Sequence, residues 1–251
     1  MPAEKPQLPR DFRLVEYREL ADTLTEAARL AEQGAEEGTV VWTLRQLDAR
    51  THSGATWLSS EGDLHCALIL RPEFARETAL QLVYVAALSV GAVLSEQVSP
   101  MTALHYRWPN DILLRQGKVG SIRVSGQLSP PGFEWLILGL DLNVVQSPQA
   151  VSFSAAAVQP DGECGATRAQ LLENYCRHFL RMINRWAEDG FSPILNAWLQ
   201  RVPDIDQFVR VRLGRRIAEG VFRQVNEQGG AVLQADAGES VVSLSEFYGF
   251  Q

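Results

Sequence analysis

Lys118 is the residue whose type and position in this sequence most suggest chemistry. Of the 23 basic side chains 21 are arginines, and the one other lysine is Lys5, near the start of the chain. An ammonium is a compact donor of three protons, whereas a guanidinium is a planar fork, so a lysine deep in an arginine-rich chain is a candidate for chemistry that arginine cannot perform. A solvated lysine beside the Gln116-Gly117 turn is the alternative interpretation.

Three segments around Lys118 stand out by their order and spacing. Arg107-Trp108-Pro109-Asn110-Asp111 ends seven residues before Lys118, Lys118-Val119-Gly120-Ser121-Ile122 begins there, and Gly139-Leu140-Asp141-Leu142-Asn143 comes later. They resemble the K-W-P-N-D, K-x-x-G-I and G-I-G-x-N segments of the biotin protein ligases, in the biotin/lipoate A/B protein ligase family. TWLSSEGDL at 56–64 is similar to the family's W-x-S-x-x-G-N-L, and the last part of the chain is similar to its small C-terminal domain.

The resemblance implies that Lys118 is the catalytic lysine of an ATP-dependent ligase. Such an enzyme joins the carboxylate of biotin, or of a lipoate-like acid, to the α-phosphate of ATP and passes the acyl group to a lysine of a biotinyl or lipoyl carrier domain. Negative charge builds on carboxylate and phosphate oxygens in the first step. A positioned ammonium stabilises that charge, and loss of one such donor typically costs on the order of a hundred- to thousand-fold in rate.

The same resemblance implies roles for five further residues in these segments. Asn110 and Asp111 lie where the family binds the nucleotide and its magnesium, a task suited to hard oxygen ligands. The alternative for this pair is a turn between two strands. Arg107 stands where the family has lysine and, with Gly120, is expected to bind substrate. Asn143 is expected near the nucleotide, or else as a buried asparagine at the end of a strand.

The phosphate-binding loop departs from the family pattern. The family's G-R-G-R-x-G-R corresponds to ARTHSGA at 49–55, which retains only Arg50 and Gly54. His52 takes the place of the second arginine and is mostly neutral at pH 7 unless its pKa is raised. We expect all three residues to face the substrates.

The small-molecule pocket is altered as well. The family's S-T-N at the start of the first helix corresponds to Asp22-Thr23-Leu24, so Asp22 and Thr23 are expected at a pocket that differs from a standard biotin site. Trp57 is expected either as a wall of this pocket or as a core residue. His65, His105 and His178 are predicted to be structural histidines.

Hydrophobic patterning predicts the elements that position these residues. Buried strands are expected at 38–44 and 63–72, and apolar residues at helical spacing predict a helix over 77–97. A short strand followed by a helix is predicted over 14–34. The segment from Arg45 to Gly54 is predicted to be a loop. Further short strands are expected at 105–109, 111–115, 118–128 and 134–145.

The second half of the chain predicts a change of architecture. Residues 146–166 are expected to form a loop or lid, after which Thr167 caps a long amphipathic helix. From Phe208 short strands recur at spacings of about ten residues, which is typical of a small β domain. The predicted fold is α+β: a ligase-like catalytic domain over 1–203, with a mixed sheet flanked by helices, and a small SH3-like β-barrel domain over 204–251.

Composition excludes several classes of protein. A formal charge of −7 argues against non-specific binding to nucleic acid. Three widely spaced cysteines indicate buried thiols rather than a disulfide framework or a zinc site. With no apolar leader and no expected membrane span, the chain is predicted to be cytoplasmic. The sequence leaves open whether it forms a homodimer.

Three functions remain open at this point. The first is an ATP-dependent ligase that activates a carboxylic acid as its adenylate. The second is an acyltransferase that takes its acyl group from a thioester, which needs the lysine but not the phosphate-binding arginines. The third is a non-catalytic binding or interaction protein on the same scaffold, since fold alone does not choose between them.

Overall fold

The main sheet of this protein has seven strands. The structure is a computed structural model and describes residues 5–48, 60–147, 153–159 and 165–250. The strands of the main sheet are, in chain order, β1 (Arg13–Tyr17), β2 (Thr39–Thr43), β3 (Leu64–Leu70), β4 (Leu104–Arg107), β5 (Asp111–Leu114), β6 (Gly117–Ser129) and β7 (Gly132–Leu142). Their order in space is β1-β2-β3-β7-β6-β5-β4, with β1 and β2 parallel and the other described pairs antiparallel.

Helices cover both faces of this mixed sheet. Helix α1 (Thr23–Glu32) packs on one face through Ala27 and Ala31. The larger core lies on the other face, beneath α2 (Arg76–Leu80), α3 (Leu82–Gln97), α4 (Arg168–Asp189) and α5 (Phe191–Leu199). Thr167 caps α4 as predicted, since its hydroxyl accepts from the backbone N–H of Gln170. The predicted α+β class with a mixed sheet and flanking helices is confirmed.

The predicted helix over 77–97 is the central core helix, divided in two at Gln81. The segment Arg76–Gln97 is long and apolar enough to meet the length and hydropathy requirements of a membrane span, contrary to expectation. Yet 83% of its apolar window is buried inside the protein. A core helix of a globular protein has the same properties, so this segment is weak evidence for a span.

The chain ends in a four-stranded antiparallel sheet. Its strands are β8 (Phe208–Leu213), β9 (Arg216–Val225), β10 (Ala231–Ala235) and β11 (Gly238–Val242), and helix α6 (Leu244–Tyr248) follows. This small sheet matches the expected C-terminal β domain. It contacts the main core at Gly229, whose carbonyl accepts hydrogen bonds from Tyr84 Oη at 2.7 Å and Trp108 Nε1 at 3.0 Å. The boundary at residue 203 stays a prediction.

Two segments predicted as loops are tied to the sheet where the structure describes them. In the predicted loop from Arg45 to Gly54, Gln46 is 4% exposed and pairs with Leu20 in a parallel bridge. In the predicted lid over 146–166, Ala155 forms a bridge with Lys118. Backbone hydrogen bonds hold the described parts of both segments against the sheet, which their polar composition did not predict.

Candidate active site

Lys118 lies at the beginning of β6, with its ammonium held in place. Its Nζ is 2.6 Å from Oδ1 of Asp111 on the adjacent strand β5, and its side chain is 12% exposed. The ring of Phe153 lies beneath the ammonium, with its centroid 5.7 Å from Nζ. A mostly buried, ion-paired lysine favours the chemical interpretation over that of a solvated turn residue.

Lys118 and Asp111 line a cavity of about 420 Å³. Its other lining residues are Arg107, Leu113, Gln116, Phe153 and Ser154. The fold therefore brings together three of the predicted site residues, Arg107, Asp111 and Lys118. The Arg107 side chain is half-exposed, and its Nε donates to Oδ2 of Asp204 at 2.9 Å.

Asn110 and Asn143 form side-chain hydrogen bonds to the backbone of segments next to Lys118. Asn110 is buried and donates from Nδ2 to the carbonyl of Ile122, while Ile122 N–H donates back to the Asn110 carbonyl. Asn143 is fully buried and donates from Nδ2 to the carbonyl of Ala156 at 3.0 Å. Both side chains thus position the strands and the 153–159 segment next to Lys118. Their predicted contact with nucleotide stays a prediction.

Gly120, predicted to bind substrate, lies in β6 opposite Leu142 of β7. A Cβ at this position would be 2.7 Å from the Asp141 carbonyl oxygen, which is closer than a real Cβ contact. The strand pairing by itself therefore accounts for glycine here.

Asp22 and Thr23 lie at the N-terminus of α1 and bond to other parts of the chain. Asp22 caps the helix by accepting from Thr25 N–H at 3.0 Å, and its Oδ1 accepts from Arg123 Nη2 at 2.6 Å. Thr23 is fully buried and donates from N and Oγ1 to Oε1 of Gln46. The expectation that these two residues help to shape a small-molecule pocket stays a prediction.

These contacts belong to a buried polar network that no sequence pattern predicted. Asp141 is its centre and accepts from Arg123 Nε at 2.5 Å and Gln46 Nε2 at 2.8 Å, and it lies 2.7 Å from His65 Nδ1. Because a carboxylate only accepts, His65 carries its proton on Nδ1. Burial would raise the pKa of Asp141, but Arg123, His65 and Gln46 outweigh it and hold that pKa well below its ordinary value.

The altered phosphate-binding loop falls outside the described residues. Arg50, His52, Gly54 and Trp57 all lie in the 49–59 gap. Their expected contacts with substrate therefore stay predictions. Among the residues that the structure does describe, no group of three or more His, Cys, Asp or Glu side chains could hold a metal ion.

Known proteins that are similar to this chain in sequence and in fold include biotin protein ligases. The chain is 31% identical over 231 residues to a biotin–[acetyl-CoA-carboxylase] ligase of Paracoccus denitrificans, covering 90% of this chain and 96% of that protein. The biotin protein ligase of Aquifex aeolicus, solved with biotin and ATP, superposes with a TM-score of 0.75 at 26% identity, covering 93% and 96% of the two chains.

A third relative supports the fold alone. It is a biotin protein ligase-like protein of unknown function from Silicibacter, with a TM-score of 0.80 at 23% identity over 97% of this chain and 99% of that one. The model of the biotin/lipoate A/B protein ligase family matches residues 8–200. That match covers the main sheet, its helices and the Lys118 site, and this chain therefore belongs to the biotin/lipoate A/B protein ligase family.

Proposed function

We propose that this enzyme activates a small carboxylic acid with ATP and transfers the acyl group to a lysine of a biotinyl or lipoyl carrier domain. The observation that carries the proposal is the mostly buried Lys118–Asp111 ion pair that lines a cavity. The similarity to a biotin ligase along nearly the whole chain supports biotin, or an acid related to biotin or lipoate, as the substrate class.

The geometry suits the first chemical step. A carboxylate oxygen of the acid attacks the α-phosphorus of ATP, the bond to the bridging oxygen breaks, and pyrophosphate leaves. The Lys118 ammonium, already fixed by Asp111, stabilises the charge that develops on these oxygens. With only 12% of its side chain exposed, its charge is weakly screened by water and is worth more there than at a solvated position.

The second step transfers the acyl group. The neutral amine of the acceptor lysine attacks the carbonyl carbon of the acyl-adenylate, AMP leaves with the electrons of the broken C–O bond, and the nitrogen loses a proton. Lys118 again lies beside the phosphate oxygens that take up charge. Because this step repeats the charge pattern of the first, one ammonium serves both.

Asp111 fits a role in holding magnesium with the nucleotide. Mg²⁺ is usually bound by one or two carboxylates together with substrate phosphates and water. Asp111 offers one carboxylate at the cavity, with its side chain 22% exposed. When bound, the ion would neutralise phosphate charge, and Asp111 would hold it while keeping Lys118 in place.

The test is a panel of biotin, lipoate and octanoate, each with and without ATP and magnesium. Thermal stability reports binding, since a ligand of the folded state raises it by mass action. Pyrophosphate release reports activation, and a mass increase of a carrier domain reports transfer. Binding of an acid without ATP-dependent pyrophosphate release, together with transfer from an acyl thioester, would favour the acyltransferase alternative instead.

We further propose that the reaction takes place in a reducing, cytoplasmic environment. Cys66 and Cys176 are free and buried, and burial raises the pKa of the Cys176 thiol to about 12. Such thiols pack as small apolar side chains and need no oxidising compartment. Fractionation of the native host cells would test this.

A further inference from the structure

A turn just before β3, formed by residues 60–63, holds a buried carboxylate. The backbone N–H of Asp63 donates to the Ser60 carbonyl at 3.2 Å and closes the turn. Gly62 is the third residue and has φ +103°, a left-handed conformation that favours glycine. Asp63 is only 1% exposed, so the turn directs its carboxylate into the protein and not toward solvent.

Each oxygen of this carboxylate accepts a hydrogen bond from a different part of the main chain. Oδ2 of Asp63 accepts from Ser60 N–H at 2.8 Å, and Oδ1 accepts from Val144 N–H at 2.8 Å. Burial raises the pKa of Asp63, although these two hydrogen bonds and His65 oppose the shift. No lysine or arginine of the described residues forms an ion pair with Asp63, so backbone amides are its main partners.

The family pattern has asparagine at this position, since W-x-S-x-x-G-N-L corresponds to 57–64. Asparagine has nearly the same size but only one acceptor oxygen, and its NH₂ group only donates. It could satisfy Ser60 N–H or Val144 N–H but not both. Burying a charge is costly, so the space to be filled does not account for aspartate here, whereas the need for two acceptors does.

The amide of Val144 is linked by backbone hydrogen bonds to a wall of the cavity that Lys118 lines. The Val144 carbonyl accepts from Gln159 N–H at 2.8 Å, at one end of the 153–159 segment. Near the other end, Lys118 N–H donates to the Ser154 carbonyl at 2.8 Å. Ser154 itself lines the cavity. The carboxylate before β3 therefore holds the chain to which this wall is attached.

Gly62 allows the turn to approach Val144 closely. A Cβ at Gly62 would be 2.7 Å from Cγ2 of Val145, which is closer than a real Cβ contact. Because a β-branched side chain is stiff about χ1, Val145 could not rotate freely to make room. The absence of a side chain at Gly62 is thus a condition for the hydrogen bond between Asp63 and Val144.

We propose that Asp63 is a positioning residue for ATP binding at the Lys118 cavity, and that Gly62 permits the close approach that Asp63 needs. The proposal deepens the proposed function and rests on it for the binding of ATP at this cavity. Asp63 touches no reacting atom. It acts by holding Val144, and through Val144 the 153–159 segment, in place before the ligand arrives.

This role affects binding more than the chemical step. Without the carboxylate, the 153–159 segment would have to be ordered when ATP binds. A ligand whose competent protein conformation is only partly populated binds with an affinity reduced by that fraction, while the bound state is the same. The loss should therefore fall on the KM for ATP and not on kcat.

Pyrophosphate release by the full chain tests the role, at varied ATP with magnesium and a saturating amount of whichever acid (biotin, lipoate or octanoate) the wild type uses. Asp63→Ala should raise the KM for ATP about tenfold or more and leave kcat within about threefold, because a hydrogen bond to a charged group contributes about a factor of ten or more. In the ligand-free protein, amide exchange at Ala156, Val158 and Gln159 should become faster.

Gly62→Ala perturbs the same contact without removing the carboxylate, and it serves if Asp63→Ala does not fold. Its methyl group would push Val145 away, so it should also raise the KM for ATP. Gly34→Ala is the matched control, because Gly34 has a similar conformation, φ +88°, but a Cβ there would have no atom within 4 Å. It should lose stability through backbone strain and leave the KM unchanged.

The outcomes separate this role from the proposed function. A higher KM for ATP in both turn variants, with Gly34→Ala like the wild type, would uphold the role of Asp63. An unchanged KM in folded Asp63→Ala, or an equal rise in Gly34→Ala, would overturn it. If the wild type releases no pyrophosphate with any acid, the ligase reaction fails, and exchange decides alone: faster exchange at Ala156, Val158 and Gln159 in Asp63→Ala upholds the positioning, and unchanged exchange overturns it.

Discussion

The Lys118 ammonium and the Asp111 carboxylate lie 2.6 Å apart across two antiparallel strands joined by a tight turn. The turn places Arg115 and Gln116 in left-handed backbone conformations and returns the chain directly to Lys118. The pair is local in sequence, so its geometry is fixed by one hairpin. This makes Lys118 the residue whose substitution is most informative.

Lys118→Arg should cut pyrophosphate release by about a hundredfold or more, or about 2.7 kcal/mol. Arginine retains the charge and can still pair with Asp111, but its planar fork cannot take the place of a compact ammonium between two oxygens. The free energy of unfolding should change by no more than about 0.5 kcal/mol. A fully active Lys118→Arg protein would show that a compact ammonium at this position is not required for the reaction.

Whether a structural feature of this protein can be predicted from its sequence depends on how close in sequence the contacting residues are. The strands, the cap at Thr167 and the Lys118 hairpin follow from patterns a few residues long. The network around Asp141 does not, because Arg123 is 101 residues from Asp22, and only the packing of α1 on β6 and β7 brings the two side chains together. In a chain where nearly every basic residue is arginine, Arg123 carries no signal of its own.

Very short helices and breaks within helices could not be predicted from sequence patterns either. Helix α6 has only five residues, too few for a helical period to be recognised. The break between α2 and α3 depends on Gln81, whose side chain accepts from Trp186 Nε1 and donates to the Glu227 carbonyl. Neither partner is near Gln81 in sequence, so tertiary contacts decide the local geometry.

The full chain should not bind DNA tightly, despite the arginines of the C-terminal sheet. Arg210 pairs with Glu219, Arg223 with Asp206, and Arg216 with Glu246, so much of the positive charge is already compensated. Binding driven by phosphate contacts weakens steeply with salt. A gel-shift titration at low and physiological salt should detect no complex at either, and a tight salt-sensitive complex would contradict this.

Amide hydrogen exchange should divide the predicted loop from Arg45 to Gly54 into two parts. Leu47 and Asp48 donate backbone hydrogen bonds to Leu20 and Ala21, so their amides should be protected without ligand. ATP with magnesium should raise protection over 49–54, because Arg50 there corresponds to a phosphate-binding arginine of the family. Unchanged exchange over 49–54 at saturating nucleotide would show that this segment takes no part in binding.

Asp141→Asn should destabilise the protein by about 3 kcal/mol at pH 7, since it breaks a buried ion pair with Arg123. Folding lowers the pKa of Asp141, so the folded state binds its proton less readily than the unfolded chain. Such a group stabilises the fold above its unfolded pKa, about 4. Its contribution is lost progressively as the pH falls from there toward the lowered folded pKa.

Urea unfolding at pH 7, 5 and 3 measures this dependence for both proteins. The difference between wild type and Asp141→Asn should be constant from pH 7 to 5 and smaller at pH 3, because only the wild type has a titrating carboxylate at this position. Asp206→Asn is the matched control: its pair with Arg223 is solvent-exposed and should contribute about 1 kcal/mol or less. A difference for Asp141→Asn that is no larger than this control, or that grows on acidification, would show that Asp141 is not the charged centre of the network.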